Sequence, residues 1–311
     1  MKILKKIKKR NLRCIYFLGK EIYSYKKGED KDFFEIYEYL KKYKYVLENV
    51  IEDNQQKKSS NLIWQYWGQG EENAPDIVKA CFKSVKRHCK NQKIQILNDS
   101  NLKDYIDIPV FIEEKLKNNI ISKTLFSDYV RTCLLLKYGG TWIDATVYLT
   151  DNIPKIITDT DFFVFKSSSY SDFLRAPTLN FLEKINSNDL LCMSSWFIFS
   201  KNTNNVILKK LKILFEEYFK NENSVIDYFL YHYLFTILVQ EDEECNKIYN
   251  NIPTLTNTTP HLLQYRLFDD YDEKFFGELK TFCSIHKLTY KFNDTPNNNT
   301  YLYKIMNNQI S

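Results

Sequence analysis

The stretch that decides the fold runs from residue 127 to residue 146 and reads SDYVRTCLLLKYGGTWIDAT. Its first part carries apolar residues at helical spacing, and Tyr138-Gly139-Gly140 can end that helix with a left-handed cap. Residues 141–148 are rich in β-branched and aromatic side chains and predict a strand. The segment therefore predicts a helix that turns sharply into a strand, which is typical of α/β proteins.

Strands and helices alternate on both sides of this segment. Further predicted strands cover 62–67, 93–97, 162–165 and 195–200, and the predicted helices cover about 75–88, 109–118, 121–137, 204–220 and 224–240. This order favours an α/β fold, in the form of an α/β/α sandwich with a mostly parallel central sheet.

A polar stretch, EDNQQKKSSN at 52–61, reads as a linker and places the main domain boundary there. We expect a basic N-terminal helical extension over residues 1–58, with an amphipathic helix at about 30–50. The main domain then covers residues 59–290, and an Asn-rich C-terminal tail follows at 291–311.

Basic charge is concentrated at the N-terminal end. Residues 1–58 hold 16 Lys and Arg against 9 Asp and Glu, whereas the rest of the chain is nearly neutral. A nucleic-acid-binding protein would carry basic residues on its folded surface, so we expect no nucleic-acid partner. Basic residues beside the short apolar run at 14–18 favour contact between residues 1–18 and an anionic membrane surface. The alternative is a solvated terminus.

Other compositional features narrow the class of protein. The 7 cysteines are scattered and none stands in CxxC spacing, which indicates a reducing cytoplasm rather than a disulfide framework or structural zinc. With only 7 glycines, the sequence contains neither a dinucleotide fingerprint nor a P-loop. No apolar run is long enough to span a membrane. We therefore expect a cytoplasmic protein, peripheral on the inner face of the cell membrane.

Open α/β sheets bind ligands at the carboxyl ends of their strands. Candidate groups at such ends are Trp64, Gln65 and Trp67, then Asn98 and Asp99, and finally Asp144. The first three can sandwich and hydrogen-bond a base, Asp99 can reach a ribose, and Asp144 can hold a divalent cation or a sugar hydroxyl. Burial of the tryptophans in the core and a turn-capping role for Asp99 are the structural alternatives.

A sharper group of charges lies in the quoted segment itself. Asp128 and Arg131 stand three residues apart and share one helix face. From spacing alone they can be a surface ion pair. The turn at Gly139-Gly140, however, brings Asp144 back within a few residues, so that all three charges can meet in one cleft.

In these residues, and in IWQYWGQGEENAPDIVKAC at 63–81, the chain resembles the bacterial capsular polysaccharide synthesis proteins. Those proteins belong with glycosyltransferase family 32 and its sugar-binding DxD region. The resemblance covers about 60–290 and implies a GT-A fold and hexosyl transfer from a nucleotide sugar, such as UDP-galactose or UDP-glucose, usually with retention. The implied acceptor is a hydroxyl of a lipid-linked capsular or exopolysaccharide repeat unit.

The resemblance also implies roles for individual residues. Asp128 and Arg131 would grip the donor sugar, and Asp144, as the first Asp of DxD, would lie near the ribose, sugar and metal. The second carboxylate is replaced by Thr146, and a hydroxyl is a weaker ligand for Mn²⁺ or Mg²⁺. His286 and Lys287 resemble the metal-binding His and diphosphate-binding Lys of a closing C-terminal segment, or they are simply an exposed pair in a loop.

The predicted metal ligands are thus Asp144, Thr146 and His286, for a Mn²⁺ or Mg²⁺ cofactor. Weaker candidates for the acceptor side are Ser195, Trp196, Asp227 and His232, and burial in the interior is the alternative for Trp196 and His232. Two other functions stay open at this point. One is sugar-1-phosphate transfer at the same nucleotide-sugar site, and the other is a catalytically inactive, membrane-associated sugar-binding protein.

Overall fold

The computed structural model describes residues 33–48, 50, 58–167 and 191–310, together with the backbone of the first three strands. These strands are β1 (Leu4–Lys9), β2 (Leu12–Phe17) and β3 (Lys20–Lys26), and they form an antiparallel sheet. Among its described residues, the N-terminal extension is helical only from Phe33 onward, since the Ile and Tyr residues in the preceding strands favour strand structure. The side chains of residues 1–18 lie outside the described residues, so their predicted membrane contact stays a prediction.

The central sheet has five strands in the order β5-β4-β6-β9-β8. They are β4 (Leu62–Tyr66), β5 (Lys93–Leu97), β6 (Gly140–Ile143), β8 (Phe162–Lys166) and β9 (Met193–Ser200). β4 pairs in parallel with β5 and β6, whereas β9 runs antiparallel to both of its neighbours. The predicted α/β fold with a mostly parallel sheet is confirmed.

The strand predicted at 141–148 is interrupted. β6 ends at Ile143, and a separate strand, β7 (Val147–Leu149), pairs antiparallel with β10 (Ile285–Lys287). The break falls on Asp144-Ala145-Thr146, where the amide of Val147 donates to the carbonyl of Asp144 at 2.9 Å. A turn thus stands at the end of the parallel strands, where a ligand can reach it.

Helices cover both faces of the sheet. They are α1 (Phe33–Lys41), α2 (Asp76–His88), α3 (Val110–Lys117), α4 (Lys123–Tyr138), α5 (Lys155–Thr158), α6 (Val206–Asn221), α7 (Leu230–Glu241), α8 (Glu243–Asn251), α9 (Thr258–Tyr265), α10 (Glu273–Phe282) and α11 (Tyr301–Met306). None of the helices within the described ranges is long and apolar enough to cross a membrane. α7 begins later than the helix predicted at 224–240, because residues 222–229 form a loop.

The amphipathic helix predicted at 30–50 is present as α1 and a following 3-10 turn, Lys42–Leu47. Its apolar face is buried in the same core as α4, α6 and α7, and Tyr37 donates a hydrogen bond to Glu241 of α7 at 3.0 Å. The helix therefore shares the core of the main domain, although the linker after it suggests a boundary. In the predicted tail, α11 also buries its apolar residues.

Two glycines make the turn between α4 and β6 possible. Gly139 and Gly140 have φ values of 65° and 96°, which L side chains rarely adopt. A Cβ on Gly140 would lie 2.3 Å from the carbonyl oxygen of Leu62, so β6 approaches β4 too closely for a side chain there. The indole of Trp64 donates to the carbonyl of Gly139 at 2.9 Å and fixes the turn further.

Candidate active site

A buried network of charges joins the middle of α4 to the end of β6. The guanidinium of Arg131 lies 3.2 Å from a carboxylate oxygen of Asp128 and 3.3 Å from one of Asp144. It also donates to the hydroxyl of Ser127 at 3.1 Å and to the backbone carbonyl of Ser195. Arg131 is only 3% exposed, so its charge is balanced by these carboxylates rather than by water.

Trp142 holds both Arg131 and Asp144 in place. Its indole donates to Asp144 Oδ1 at 2.8 Å, and the Arg131 guanidinium lies 4.9 Å from its ring centroid. Trp142 and Asp144 are two residues apart, so the strand turns both side chains to the face on which α4 packs. A cation over an indole ring is attracted to the π-electron face.

Lys287 completes the network from the opposite side. It stands on β10, and its ammonium donates to Asp144 Oδ2 at 2.8 Å and to Thr146 Oγ1 at 2.6 Å. The pairing of β10 with β7 places Lys287 beside Val147, directly after the Asp144 turn. The structure thus places Lys287 beside Asp144 and Thr146, while its predicted contact with the donor diphosphate stays a prediction.

The two carboxylates have opposite pKa shifts. Burial raises the pKa of Asp128 to about 6, although Arg131 pulls it down. Burial also raises the pKa of Asp144, but the attraction of Lys287 and Arg131 outweighs that effect and leaves it below its usual value. Asp144 is therefore an anion at neutral pH, held between two cations.

The donor set does not fit a divalent cation. Thr146 and one oxygen of Asp144 already accept hydrogen bonds from Lys287. His286 is fully buried and points away from this cluster, because strand alternation turns it opposite to Lys287 and its Nε2 lies 3.1 Å from the hydroxyl of Thr150. Within the described part of the chain, no group of three or more His, Cys, Asp or Glu residues is arranged to hold a metal ion.

The structure therefore does not bring the predicted ligand set of Asp144, Thr146 and His286 together. Burial lowers the pKa of His286 to about 4, so its imidazole is neutral and belongs to the interior. The sequence prediction for His286 rested on its position beside Lys287. Adjacent residues of a strand face opposite sides, so only one of the pair can reach the turn.

The carboxyl end of β4 places its predicted residues on different faces. Trp64 is buried in the core against α4, whereas alternation directs the fully buried Gln65 to the other face of the sheet. Neither polar atom of the Gln65 side chain has a hydrogen-bond partner among the described residues. Trp67 also has a buried, unpaired indole nitrogen, and its ring packs edge-on against Tyr290 with centroids 5.2 Å apart.

Asn98 and Asp99 directly follow β5. Asn98 caps a turn, because its side-chain oxygen accepts from the amides of Ser100 and Asn101 at 2.9 and 3.1 Å. Asp99 is exposed, accepts a hydrogen bond from the hydroxyl of Tyr66, and lies 2.7 Å from the ammonium of Lys123. The turn-capping role suggested for Asp99 thus belongs to Asn98.

The four residues predicted for the acceptor side have different positions. Ser195 accepts a hydrogen bond from Arg131 through its carbonyl, and its side chain lowers the pKa of Asp128, so it belongs to the charge network. Trp196 is buried and stacks on Phe165, with centroids 4.7 Å apart. The indole nitrogen of Trp196 is unpaired within the described residues.

The other two acceptor-side candidates lie in and after the loop that precedes α7. Burial, with a smaller contribution from Arg131, lowers the pKa of His232 to about 3, so His232 is a neutral imidazole close to the charge network. Its buried Nδ1 has no partner among the residues described. Asp227 lines a cavity in front of α7, which is described below.

Sequence reasoning missed three supporting residues. Ser127 and Trp142 both bond to the charge network, and Tyr66 orients Asp99. The spacing of Ser127 and Trp142 in the sequence indicates their contacts with the network. Ser127 stands one helical turn before Arg131, and Trp142 stands two residues before Asp144. No spacing in the sequence indicates the contact of Tyr66, because its partner Asp99 follows a different strand.

Fold and site together define an α/β protein with a buried charge network at the carboxyl end of its parallel strands. Residues 18–305 match the family model for the capsular polysaccharide synthesis protein, and the chain belongs to this family. Among solved structures it is similar to the PaToxG glycosyltransferase, at 12% identity over 70% of this chain and 82% of that chain, with a TM-score of 0.37. A comparison with curated proteins gave no match.

Proposed function

We propose that the protein is a glycosyltransferase of capsular or exopolysaccharide synthesis. It would transfer a hexose from a nucleotide sugar, UDP-galactose or UDP-glucose, to a hydroxyl of a lipid-linked repeat unit. The observation that carries the proposal is Arg131, buried between Asp128 and Asp144 at the end of β6. A buried charge network that opens at the carboxyl ends of strands is a position where α/β proteins bind ligands. Family membership supports the same reading.

Asp128 and Arg131 are proposed to orient the donor sugar. A carboxylate accepts hydrogen bonds from sugar hydroxyls, and the guanidinium donates to sugar or phosphate oxygens. Both groups are fixed by neighbours, since Arg131 donates to Ser127 and Ser195 and forms an ion pair with Asp128 at 3.2 Å. Fixed groups lower the entropic cost of reaching the reactive geometry.

Lys287 is proposed to stabilise the departing diphosphate. In the transfer, the bond between the anomeric carbon and the phosphate oxygen breaks, and the acceptor oxygen forms a new bond to that carbon. The acceptor proton passes to the leaving phosphate, so that retention needs no separate protein base. The ammonium of Lys287, already 2.8 Å from Asp144, offers a positive charge where negative charge develops.

No step of this proposal uses a metal ion, because the described residues do not supply a matching donor set. Lys287 donates to Asp144 Oδ2 and to Thr146 Oγ1, that is, to the two side chains where a DxD pair would hold a cation. We infer that the ammonium takes the electrostatic role which the sequence resemblance assigned to Mn²⁺ or Mg²⁺.

A peripheral location on the inner face of the cell membrane is part of the proposal. It is supported by the basic residues within 1–18 and by the chemistry of a lipid-linked acceptor. An anionic surface attracts basic segments, by about 1 kcal/mol per Lys or Arg near the surface.

The proposal is tested by nucleotide release from a panel of UDP- and GDP-sugars incubated with the purified protein. Release of UDP from one hexose donor is the expected result. Release of UMP would instead indicate sugar-1-phosphate transfer. If no donor is turned over and calorimetry shows UDP binding, the chain would be an inactive sugar-nucleotide-binding protein, and the proposed function would be wrong.

A further inference from the structure

A cavity of about 290 Å³ opens at the start of α4, in front of the loop between α6 and α7. The apolar wall of its lining consists of Ile120, Leu125 and Val225. Polar and aromatic groups are added by Asn119, Asp227 and Tyr228. Small-molecule pockets have volumes of about 300–1,000 Å³, so this cavity suits one small ring rather than a whole nucleotide sugar.

The cavity borders the charge network. Leu125 lines it and stands three residues before Asp128 on α4, so the two side chains lie on one helix face, with about 4.5 Å of rise between them. On the other wall, Tyr228 stands three residues before Tyr231, whose hydroxyl lies 2.8 Å from that of Thr132, the residue after Arg131 on α4. A molecule in the cavity would therefore lie next to the residues proposed to hold the donor sugar.

The chemistry of the lining matches a pyranose. Tyr228 is 67% exposed, and its ring packs edge-on against Phe229, with centroids 5.0 Å apart. The π face of an aromatic ring is partly negative, and the C–H groups on one face of a sugar ring are partly positive. Exposed aromatic rings of this kind provide a rigid, amphipathic contact surface.

Asp227 is a polar group of the lining whose position is fixed. One carboxylate oxygen accepts a hydrogen bond from the amide of Phe229 at 2.7 Å, which fixes the side chain in the loop. Within the described residues the second oxygen accepts no hydrogen bond, so it can accept from a sugar hydroxyl. An aromatic ring and a fixed carboxylate at the rim of an apolar cavity suit a ligand with one C–H face and several hydroxyls.

We propose that this cavity binds the acceptor sugar, that is, the monosaccharide unit which carries the attacking hydroxyl. The proposal rests on the proposed glycosyltransferase function. Tyr228 stacks on the ring of this sugar, and Asp227 accepts a hydrogen bond from one of its hydroxyls. Both are binding residues for the acceptor, and neither contributes to donor hydrolysis by water.

The first experiment measures binding of methyl glycosides of glucose, galactose and N-acetylglucosamine to the full chain by saturation-transfer NMR. The variants are Tyr228→Ala and Asp227→Asn, and the matched control is Tyr265→Ala, which removes a tyrosine that is 74% exposed elsewhere. We expect at least one glycoside to bind the wild type and the control, and its signal to fall by about tenfold or more in Tyr228→Ala. Absence of binding by all three glycosides, or equal signals in all variants, would overturn the proposal.

A second experiment separates the acceptor sugar from the nucleotide. Transfer to the bound methyl glycoside should lose about tenfold in kcat/KM in Tyr228→Ala and Asp227→Asn, whereas the control Tyr265→Ala should leave transfer, UDP affinity and acceptor-free donor hydrolysis unchanged. A matching loss of UDP affinity in Tyr228→Ala would assign the cavity to the uracil base and contradict the proposal. If the wild type turns over no donor, the proposed function is wrong. The glycoside-binding experiment still tests separately whether the cavity binds a sugar.

Discussion

Arg131 shows at the scale of one residue how the site is built. A guanidinium has five N–H donors, and acceptors surround this one on every side: the carbonyl and hydroxyl of Ser127, the carbonyl of Ser195, and both carboxylates. The planar guanidinium fixes the direction of its hydrogen bonds as well as the position of the charge, and the ammonium of a lysine could not reproduce this arrangement. The free-energy cost of burying the Arg131 guanidinium is offset only while Asp128 and Asp144 are both present.

The raised pKa of Asp128 predicts a pH effect on stability. Burial lifts it from 3.8 to about 6, so between these values the folded state keeps a proton that the unfolded state loses. The contribution of Asp128 to the free energy of unfolding should therefore fall as pH rises from about 4 to about 6, by at most about 3 kcal/mol. The free energies of unfolding of wild type and Asp128→Asn, measured by urea denaturation across this pH range, should converge or cross. If the two free energies run parallel with pH, the prediction is wrong.

Lys287 predicts the response to chelators. Because its ammonium binds Asp144 Oδ2 and the hydroxyl of Thr146, we expect EDTA to change nucleotide release by less than about twofold. Lys287→Met should lower kcat/KM by about 100-fold, whereas Lys291→Met, an exposed lysine of the same segment, should not. Activity that disappears with EDTA and returns with Mn²⁺ would contradict this account.

At the scale of elements, the turn between α4 and β6 sets the geometry. Gly140→Ala would place a Cβ 2.3 Å from the backbone of Leu62 and demand a φ of 96°, so we expect a loss of about 3 kcal/mol or more in the free energy of unfolding. Gly277→Ala is the matched control, since it lies in α10 with nothing within 4 Å of the new Cβ. That variant should gain about 0.5–1 kcal/mol. Equal effects of the two substitutions in urea denaturation would contradict the role of the turn.

Elements also show where sequence reasoning succeeds and fails. The helix that ends at Tyr138 and the strand after it were predictable, because periodicity and two glycines are local signals. The break after Ile143 was not, since it depends on pairing between β7 and β10, which are distant in sequence. The same holds for His286, whose direction is set by that pairing and not by its neighbours.

The site itself was partly predictable. Asp128, Arg131 and Asp144 came from spacing and the turn, and their meeting is seen in the structure. The acceptor-side candidates could not be ranked from sequence, because Ser195 and Trp196 have similar surroundings in a β-strand. Only three-dimensional packing separates Ser195, in the charge network, from Trp196, stacked on Phe165.

At the scale of the whole molecule, an N-terminal region rich in basic residues precedes the main domain. α1 belongs to the core, since Phe33, Ile36 and Leu40 are buried with α7. We expect a chain of residues 33–311 to unfold cooperatively and to release nucleotide like the full chain. A chain of residues 58–311 should not fold, because each buried apolar side chain contributes about 1.5–3 kcal/mol and total stability is about 5–15 kcal/mol.

The same truncation tests membrane contact. The full chain should sediment with anionic vesicles in a salt-sensitive manner, and residues 33–311 should not, because the basic residues lie in the removed segment. Equal sedimentation of the two chains would show that residues 1–18 are not the membrane-binding segment. A stable, active chain of residues 58–311 would show that α1 is dispensable.

The most direct test of the central claim compares two conservative substitutions in the nucleotide-release assay. Asp144→Asn keeps the shape of the side chain but removes the charge that holds Arg131 and Lys287, whereas Asp161→Asn changes a carboxylate that is 83% exposed. We predict a loss of about 100-fold or more in UDP release for Asp144→Asn, with thermal unfolding still cooperative, and no change for Asp161→Asn. Wild-type release by Asp144→Asn would contradict the assignment of this charge network as the donor site.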